Sequence, residues 1–99
     1  MNPSLQKIKD IASPLLKSYG VKRAAVFGSM ASGGATRASD IDMLIEFKGR
    51  KSLFDLVELE LDLEEQCGRK VDLITYNSLH PLLRDRILKE QRVIYGQGS

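Results

Sequence analysis

The stretch FGSMASGGATRASDIDMLIEF, residues 27–47, joins two apolar runs through a segment of small residues. The first run ends in a Gly-Ser pair, and the second begins with two aspartates, Asp40 and Asp42. Because side chains along a strand alternate between its faces, both carboxylates point the same way, with Cα atoms roughly 6.5–7 Å apart. Two like charges so placed repel each other by about 1 kcal/mol in solvent, and by more when partly buried. The pair therefore predicts a bound cation.

A third carboxylate strengthens this prediction. Asp72 lies in the otherwise apolar run 70–75, which predicts another strand. If that strand pairs in register with the strand that begins at Asp40, the three side chains Asp40, Asp42 and Asp72 converge. Carboxylate oxygens suit Mg²⁺, and such a set can hold two ions roughly 3.5–4 Å apart for in-line displacement at phosphorus. We therefore predict that these aspartates are the metal ligands and the catalytic residues.

The Gly-Ser pair predicts a phosphate site beside the metal. Gly28 permits a tight turn and a close approach of the backbone to a ligand. Backbone N–H groups after it, with the Ser29 hydroxyl, can hold phosphate oxygens. The G-x-x-x-x-G spacing of a P-loop is present from Gly28, but Gly34 and Ala35 stand where Lys and Ser or Thr are required. The segment is therefore not a P-loop. We predict instead that the Gly28-Ser29 turn holds the outer phosphates of a triphosphate, with the metal-binding aspartates beneath.

Composition and length set the frame for this site. The 99 residues are 42% apolar and 28% charged, with a formal net charge of +2 and one cysteine. We predict one domain, residues 1–99, with a core over 5–95 and a tail at 96–99. The weak net charge does not indicate nucleic acid as a partner, although a nucleic-acid acceptor stays open. The lone cysteine and the lack of a signal peptide or membrane span favour the cytoplasm.

Hydrophobic periodicity predicts an α/β (α+β) domain. We expect a mixed sheet of about four strands, with helices mainly on one face. The first helix carries Leu5, Ile8 and Leu16 and ends at Gly20, with a kink or a new turn at Pro14 capped by Ser13. Strands follow at 21–27, 40–47, 70–75 and 92–95, and further helices at 52–66 and 78–90.

Two of the helices have well-defined apolar faces. Helix 52–66 begins at a Ser52–Asp55 capping box. Because each residue of an α-helix is rotated by 100° from the one before, the apolar side chains of this helix form two stripes. One contains Leu53, Phe54, Val57 and Leu61, and the other contains Leu56, Leu59 and Leu63. One stripe packs on the sheet, while the other is either a partner surface or a wrapped part of the core. Helix 78–90 carries Leu79, Leu82, Leu83 and Ile87 on one face.

Some single residues have structural and functional interpretations. His80, before Pro81, is assigned to a helix cap or the surface rather than to catalysis. Tyr76 could stack on a base or pack in the core. Ser39 is a further candidate for a phosphate contact, with a turn or cap as the alternative.

The Gly-Ser pair at 28–29, the Asp-Ile-Asp ten residues later and the Asp-Leu-Ile at 72–74 together resemble the DNA polymerase beta-like nucleotidyltransferase superfamily. The chain is most similar to its minimal nucleotidyltransferases, which are encoded beside HEPN-domain proteins. The resemblance covers about residues 5–95 and implies the palm-like core of that superfamily. It also implies Mg²⁺-dependent transfer of a nucleoside monophosphate from an NTP, with release of pyrophosphate.

The resemblance also implies roles and partners. Asp40 and Asp42 would ligate metal, Gly28 and Ser29 would hold the outer phosphates, and Asp72 would complete the metal site and help to activate the acceptor hydroxyl. Relatives often have a basic residue where this chain has Ser32, which makes Arg37 a candidate for the phosphates. ATP is the expected co-substrate.

The expected acceptor is a tyrosine of a HEPN ribonuclease toxin from the adjacent gene, which makes this chain its antitoxin. Two alternatives stay open. One is a non-catalytic antitoxin that neutralises its partner by binding. The other is a small-molecule nucleotidyltransferase of the antibiotic-modifying type, acting as a homo-oligomer.

Overall fold

The computed structural model describes residues 3–28 and 40–96. In chain order the elements are α1 (Pro3–Ser18), β1 (Val21–Phe27), β2 (Ile41–Phe47), α2 (Leu53–Cys67), β3 (Val71–Thr75), a 3₁₀ helix (Tyr76–Ser78), α3 (Pro81–Glu90) and β4 (Arg92–Tyr95). The four predicted strands are all present, with ends within one residue of the prediction. None of the helices described is long and apolar enough to cross a membrane.

The strands form one four-stranded mixed sheet in the order β3-β2-β1-β4. Strand β1 is antiparallel to both β2 and β4, whereas β2 and β3 are parallel. Parallel neighbours need a crossover connection, and α2 provides it. The prediction of a mixed sheet of about four strands is therefore confirmed.

The two faces of the sheet are covered differently. Helices α1 and α2 pack on one face and bury the main core, which includes Leu16, Met43, Ile45 and Leu59. The opposite face carries a smaller cluster of Leu44, Tyr76 and Leu79, against which Ile87 and Leu88 of α3 pack. Two helices thus lie on one face and one on the other, as predicted.

Helix α2 has the predicted ends. The Ser52 hydroxyl accepts a hydrogen bond from the Asp55 amide, and the Asp55 carboxylate accepts one from the Ser52 amide at 2.9 Å. These reciprocal bonds satisfy two amides that the first turn leaves unpaired. Gly68, at φ +68°, ends the helix in the left-handed conformation that glycine adopts most easily. Sequence and structure agree on this element in full.

The prediction of a new turn at Pro14 with Ser13 as its cap is wrong. Helix α1 runs through Pro14 without a break, and the Ser13 hydroxyl donates instead to the Lys9 carbonyl at 2.6 Å. Proline removes one backbone hydrogen bond, but Ala12 and Leu16 on the same turns are fully buried. Burial of the apolar face therefore holds the helix together across the proline.

The last helix begins later than predicted. Residues 76–78 form a 3₁₀ helix, and α3 starts at Pro81 because proline fits the first helical position, where no amide donor is needed. The His80 Nδ1 accepts a hydrogen bond from the Leu82 amide at 3.1 Å. The assignment of His80 to a helix cap is thus confirmed.

The apolar face of α3 is only partly buried. Leu79 and Ile87 pack in the smaller cluster, but Leu82 is 85% exposed and Leu83 is 51% exposed. The four side chains predicted on one face are therefore not all buried in the described fold.

A network of polar side chains, which the sequence analysis did not single out, fastens the 3₁₀ helix to the sheet. The Arg23 guanidinium lies 4.1 Å from the centre of the Tyr76 ring and pairs with Glu46 at 2.8 Å. The Tyr76 hydroxyl donates to Gln91 Oε1 at 2.7 Å. Tyr76 is therefore a packing residue, since only 4% of it is exposed.

Strand β3 is at the edge of the sheet, where unpaired amides could recruit another chain. Glu64 Oε2 accepts a hydrogen bond from the Val71 amide at 3.0 Å, and the Leu73 amide donates to the Glu60 carboxylate. Glu60 and Glu64 are one helical turn apart on α2 and so reach two successive outward amides. They bracket Asp72 and fix the strand that carries it.

Glu64→Ala is expected to lower the free energy of unfolding by about 1–2 kcal/mol, because it removes a charge-assisted hydrogen bond to the Val71 amide. Glu64→Gln keeps an acceptor and should retain about half of that contribution. Urea unfolding of both variants measures the effect, with exposed Glu65→Ala on the same helix as the control. Equal losses in Glu64→Ala and Glu65→Ala would contradict the edge contact.

Candidate active site

Gly28 forms a turn that strongly favours glycine. It follows the last residue of β1 and has φ +69°, in the left-handed region. A Cβ at this position would lie 2.7 Å from the Asp42 Oδ2. The preceding residue, Phe27, pairs with Asp42 across the β1–β2 ladder. The Gly28 backbone therefore lies directly against the Asp42 carboxylate.

Asp42 and Asp72 face each other across the parallel pair formed by β2 and β3. Their Cα atoms are register partners, so both side chains project from the same face, on strands about 4.8 Å apart. Asp40 immediately precedes β2 and is exposed. Because Met43 and Ile45 alternate with these aspartates and pack under α1 and α2, the carboxylates occupy the opposite face. The in-register pairing that the sequence analysis gave as a condition is therefore present for Asp42 and Asp72.

The charges of this group act on Asp42. Partial burial raises the pKa of the Asp42 carboxyl, and the negative charges of Asp72 and then Asp40 raise it further. No described cation offsets this repulsion at Asp42, and a like-charge cluster of this kind is a common feature of functional sites.

The donor set fits a hard divalent cation, although the predicted metal cluster is not preformed. Across 3–28 and 40–96, no three His, Cys, Asp or Glu side chains lie close enough together to hold a metal ion. Asp42 and Asp72 nevertheless present carboxylate oxygens on one face, with mutual repulsion that a cation would relieve. The two-metal site stays a prediction.

The phosphate site is only partly within the described structure. Gly28 is among the described residues. The other predicted phosphate contacts, Ser29, Arg37 and Ser39, lie outside the described residues. Their roles stay predictions.

The metal-free protein should lose stability as pH rises through the raised pKa of Asp42. Its folded-state pKa lies above the ordinary value of 3.8, so the folded state binds this proton more tightly than the unfolded chain does. The stabilisation from protonated Asp42 is fully present in the free energy of unfolding below about pH 4 and is lost as Asp42 ionises. Urea titrations in EDTA from pH 4 to 7, compared with Asp42→Asn, measure it. A wild-type minus variant difference that does not change with pH would contradict the prediction.

Comparisons with known proteins agree with this geometry. Residues 6–99 match the family model described as "Polymerase beta, Nucleotidyltransferase". The chain is 53% identical over 87 residues to "Putative protein adenylyltransferase MJ0435" of Methanocaldococcus jannaschii, covering 88% of this chain and 94% of that protein. It is 35% identical over 96 residues to "Protein adenylyltransferase MntA" of Thermococcus cleftensis, covering 93% and 95%.

Solved structures share the fold. "Structure of putative minimal nucleotidyltransferase" superposes with a TM-score of 0.78 at 35% identity, covering 89% of this chain and 90% of that one. A "toxin-antitoxin with AMP-PNP" superposes with a TM-score of 0.74 at 23% identity, covering 85% of this chain and 69% of that one. A "tri-AMPylated Shewanella oneidensis HEPN toxin in complex with MNT antitoxin" superposes with a TM-score of 0.73 at 19% identity, covering 94% of this chain and 73% of that one. At these lower identities the last two establish the fold alone.

Proposed function

This chain belongs to the polymerase beta nucleotidyltransferase family, and we propose that it transfers AMP from ATP to a hydroxyl group of a partner protein in a reaction that depends on Mg²⁺. The observation that carries the proposal is the alignment of Asp42 with Asp72 on an open sheet face, against the left-handed turn at Gly28. A structural sheet gains nothing from adjacent like charges, whereas a nucleotidyltransferase needs them to hold a cation.

The proposed chemistry uses the residues of this face. Asp40, Asp42 and Asp72 would hold Mg²⁺, which would neutralise the triphosphate and the developing charge on its oxygens. The turn at Gly28 would bring backbone amides to the outer phosphates, with Ser29 and Arg37 beside them. The acceptor oxygen attacks the α-phosphorus, the bond to the bridging oxygen breaks, and pyrophosphate leaves. Asp72 helps to orient the acceptor hydroxyl and to accept its proton.

The proposed acceptor is a tyrosine of a HEPN-domain toxin encoded beside this chain, which would act as the antitoxin. Two relatives are named protein adenylyltransferases, and their matches with this chain cover at least 94% of their length. One structural neighbour is an MNT antitoxin bound to a tri-AMPylated HEPN toxin. Those names support a protein acceptor over a small molecule. They also support ATP over the other nucleotides.

Intact-mass spectrometry tests the proposal. The HEPN-domain protein is incubated with this chain, Mg²⁺ and each NTP in turn, with an Asp40→Ala/Asp42→Ala variant as the control. We expect mass added in whole AMP steps with ATP, abolished in the variant and by EDTA, and mapping to tyrosine. Addition that persists in the variant would overturn the assignment of the aspartates.

Neutralisation by binding alone is the second candidate, and the exposed apolar stripe of α2 favours it. It predicts a stable complex with no added mass under any condition.

A further inference from the structure

Helix α2 presents an apolar surface that nothing in the described fold covers. Its members are Leu53, Phe54, Val57 and Leu61, which are 73%, 82%, 43% and 58% exposed. We name these four residues the α2 stripe. They are spaced within about 100° of one another on the helix and expose on the order of a few hundred Å² together. An apolar patch of that size on a monomer generally marks a binding surface.

All the charged residues of helix α2 itself are acidic. Helix α2 contains no Lys or Arg and six acidic residues, namely Asp55, Glu58, Glu60, Asp62, Glu64 and Glu65. Glu58 and Glu65 are exposed along one side of the stripe, whereas Glu60 and Glu64 on its other side contact the edge of β3. The Tyr19 hydroxyl donates to Asp62 and fixes its carboxylate against α1. The surface is thus apolar in the centre and negative along its free side.

Charge decides which kind of occupant fits. A second copy docked through the same face would bring two helices with six acidic residues each into contact, and like charges across an interface oppose association. A partner with apolar side chains bordered by Arg and Lys would pair with Glu58 and Glu65 while it covers Phe54 and Leu61. Charge complementarity therefore favours a basic protein partner.

The α2 stripe and the Asp42 carboxylate lie on opposite faces of the sheet. Leu59 and Leu63 of α2 pack with Met43 on the covered face of the sheet, whereas Asp42 projects from the opposite face. A protein docked on α2 would leave the Asp42 side chain open to nucleotide. Docking and transfer can therefore be separated by mutation.

We propose that the α2 stripe is the docking surface for the HEPN-domain partner, which engages it through an apolar face bordered by Arg and Lys. This inference rests on the proposed function for the identity of the partner, and it does not depend on the transfer chemistry. The surface would hold the partner while an acceptor hydroxyl reaches the carboxylate face.

Isothermal titration calorimetry with the HEPN-domain protein tests the docking surface. Phe54→Ser/Leu61→Ser changes only exposed side chains, so the variant should keep its circular dichroism spectrum and weaken binding by about 30-fold or more. Glu58→Lys/Glu65→Lys should weaken it by about tenfold and reduce its dependence on salt. Leu82→Ser, on α3 at 85% exposure, is the matched apolar control and should change affinity by less than about 3-fold.

Three results would overturn the docking surface. They are no binding by the unchanged chain, wild-type affinity in Phe54→Ser/Leu61→Ser, and a loss in Leu82→Ser instead, which would place the partner over α3. If light scattering shows a homodimer that the stripe substitutions dissociate, the occupant of the α2 stripe is a second copy of this chain and not the HEPN-domain partner. Asp42→Asn should bind normally, so stripe-dependent binding without AMP transfer would refute the proposed chemistry and leave the docking surface standing.

Discussion

Asp42→Asn is expected to reduce AMP transfer by about 10³-fold while making the metal-free protein more stable. The substitution removes a charge that the burial of Asp42 and the charges of Asp72 and Asp40 make unfavourable. The melting temperature in EDTA should rise by roughly 2–4 °C, which corresponds to about 0.5 kcal/mol. Added Mg²⁺ with a non-hydrolysable ATP analogue should stabilise the wild type but not the variant.

Asp85→Asn is the control for this prediction. Asp85 is an exposed carboxylate on α3, so its removal should change neither transfer nor the response to Mg²⁺. A loss of stability in Asp42→Asn, or retention of full activity, would contradict the assignment of Asp42 as a ligand held at the expense of stability.

Gly28→Ala is expected to impair both folding and transfer. A left-handed φ of +69° costs an alanine about 1–2 kcal/mol, and its Cβ would stand 2.7 Å from the Asp42 Oδ2. The carboxylate must move to relieve that contact, and displacement of a catalytic group by about 1 Å lowers the rate by about 10²-fold. Thermal unfolding and initial rates of AMP transfer measure the two effects.

Gly68→Ala separates strain from contact. Gly68 has nearly the same φ, +68°, but nothing lies within 4 Å of the position of its Cβ. It should lose comparable stability, about 1 kcal/mol, and keep wild-type transfer by the folded protein. Equal rates for the folded fractions of the two variants would show that the turn at Gly28 has no special relation to the Asp42 carboxylate.

Strands and capped helix ends could be predicted from the sequence because their signals are local. Strand β1 is a short apolar run between Gly20 and Gly28, and α2 begins at a Ser52–Asp55 capping box. Continuation of α1 through Pro14 was not predictable in this way. It depends on what its apolar face packs against, which is a tertiary property.

The site was predictable in its residue types and only partly in its geometry. Asp40 and Asp42 are two residues apart in the sequence, so alternation along a predicted strand was enough to expect them on one face. Alignment of Asp72 with Asp42 depends on which strands pair and in what register, and the sequence supplied it only as a condition.

Contacts made across the fold escaped sequence analysis. The role of Glu60 and Glu64 appears only once β3 is an edge strand beside α2. Periodicity placed Leu82 on one face with Leu79 and Ile87, yet it is 85% exposed in the structure. Periodicity reports which residues share a face and cannot report what lies opposite.

The most direct test of the central claim is a crystal structure of the chain with Mn²⁺ and a non-hydrolysable ATP analogue. Mn²⁺ prefers the same oxygen ligands as Mg²⁺ and is identified by its anomalous signal. We expect an anomalous peak roughly 2.1 Å from carboxylate oxygens of Asp42 and Asp72, with phosphate oxygens as further ligands. Nucleotide bound elsewhere, or a Mn²⁺ peak away from these two aspartates, would contradict the assignment of this sheet face as the active site.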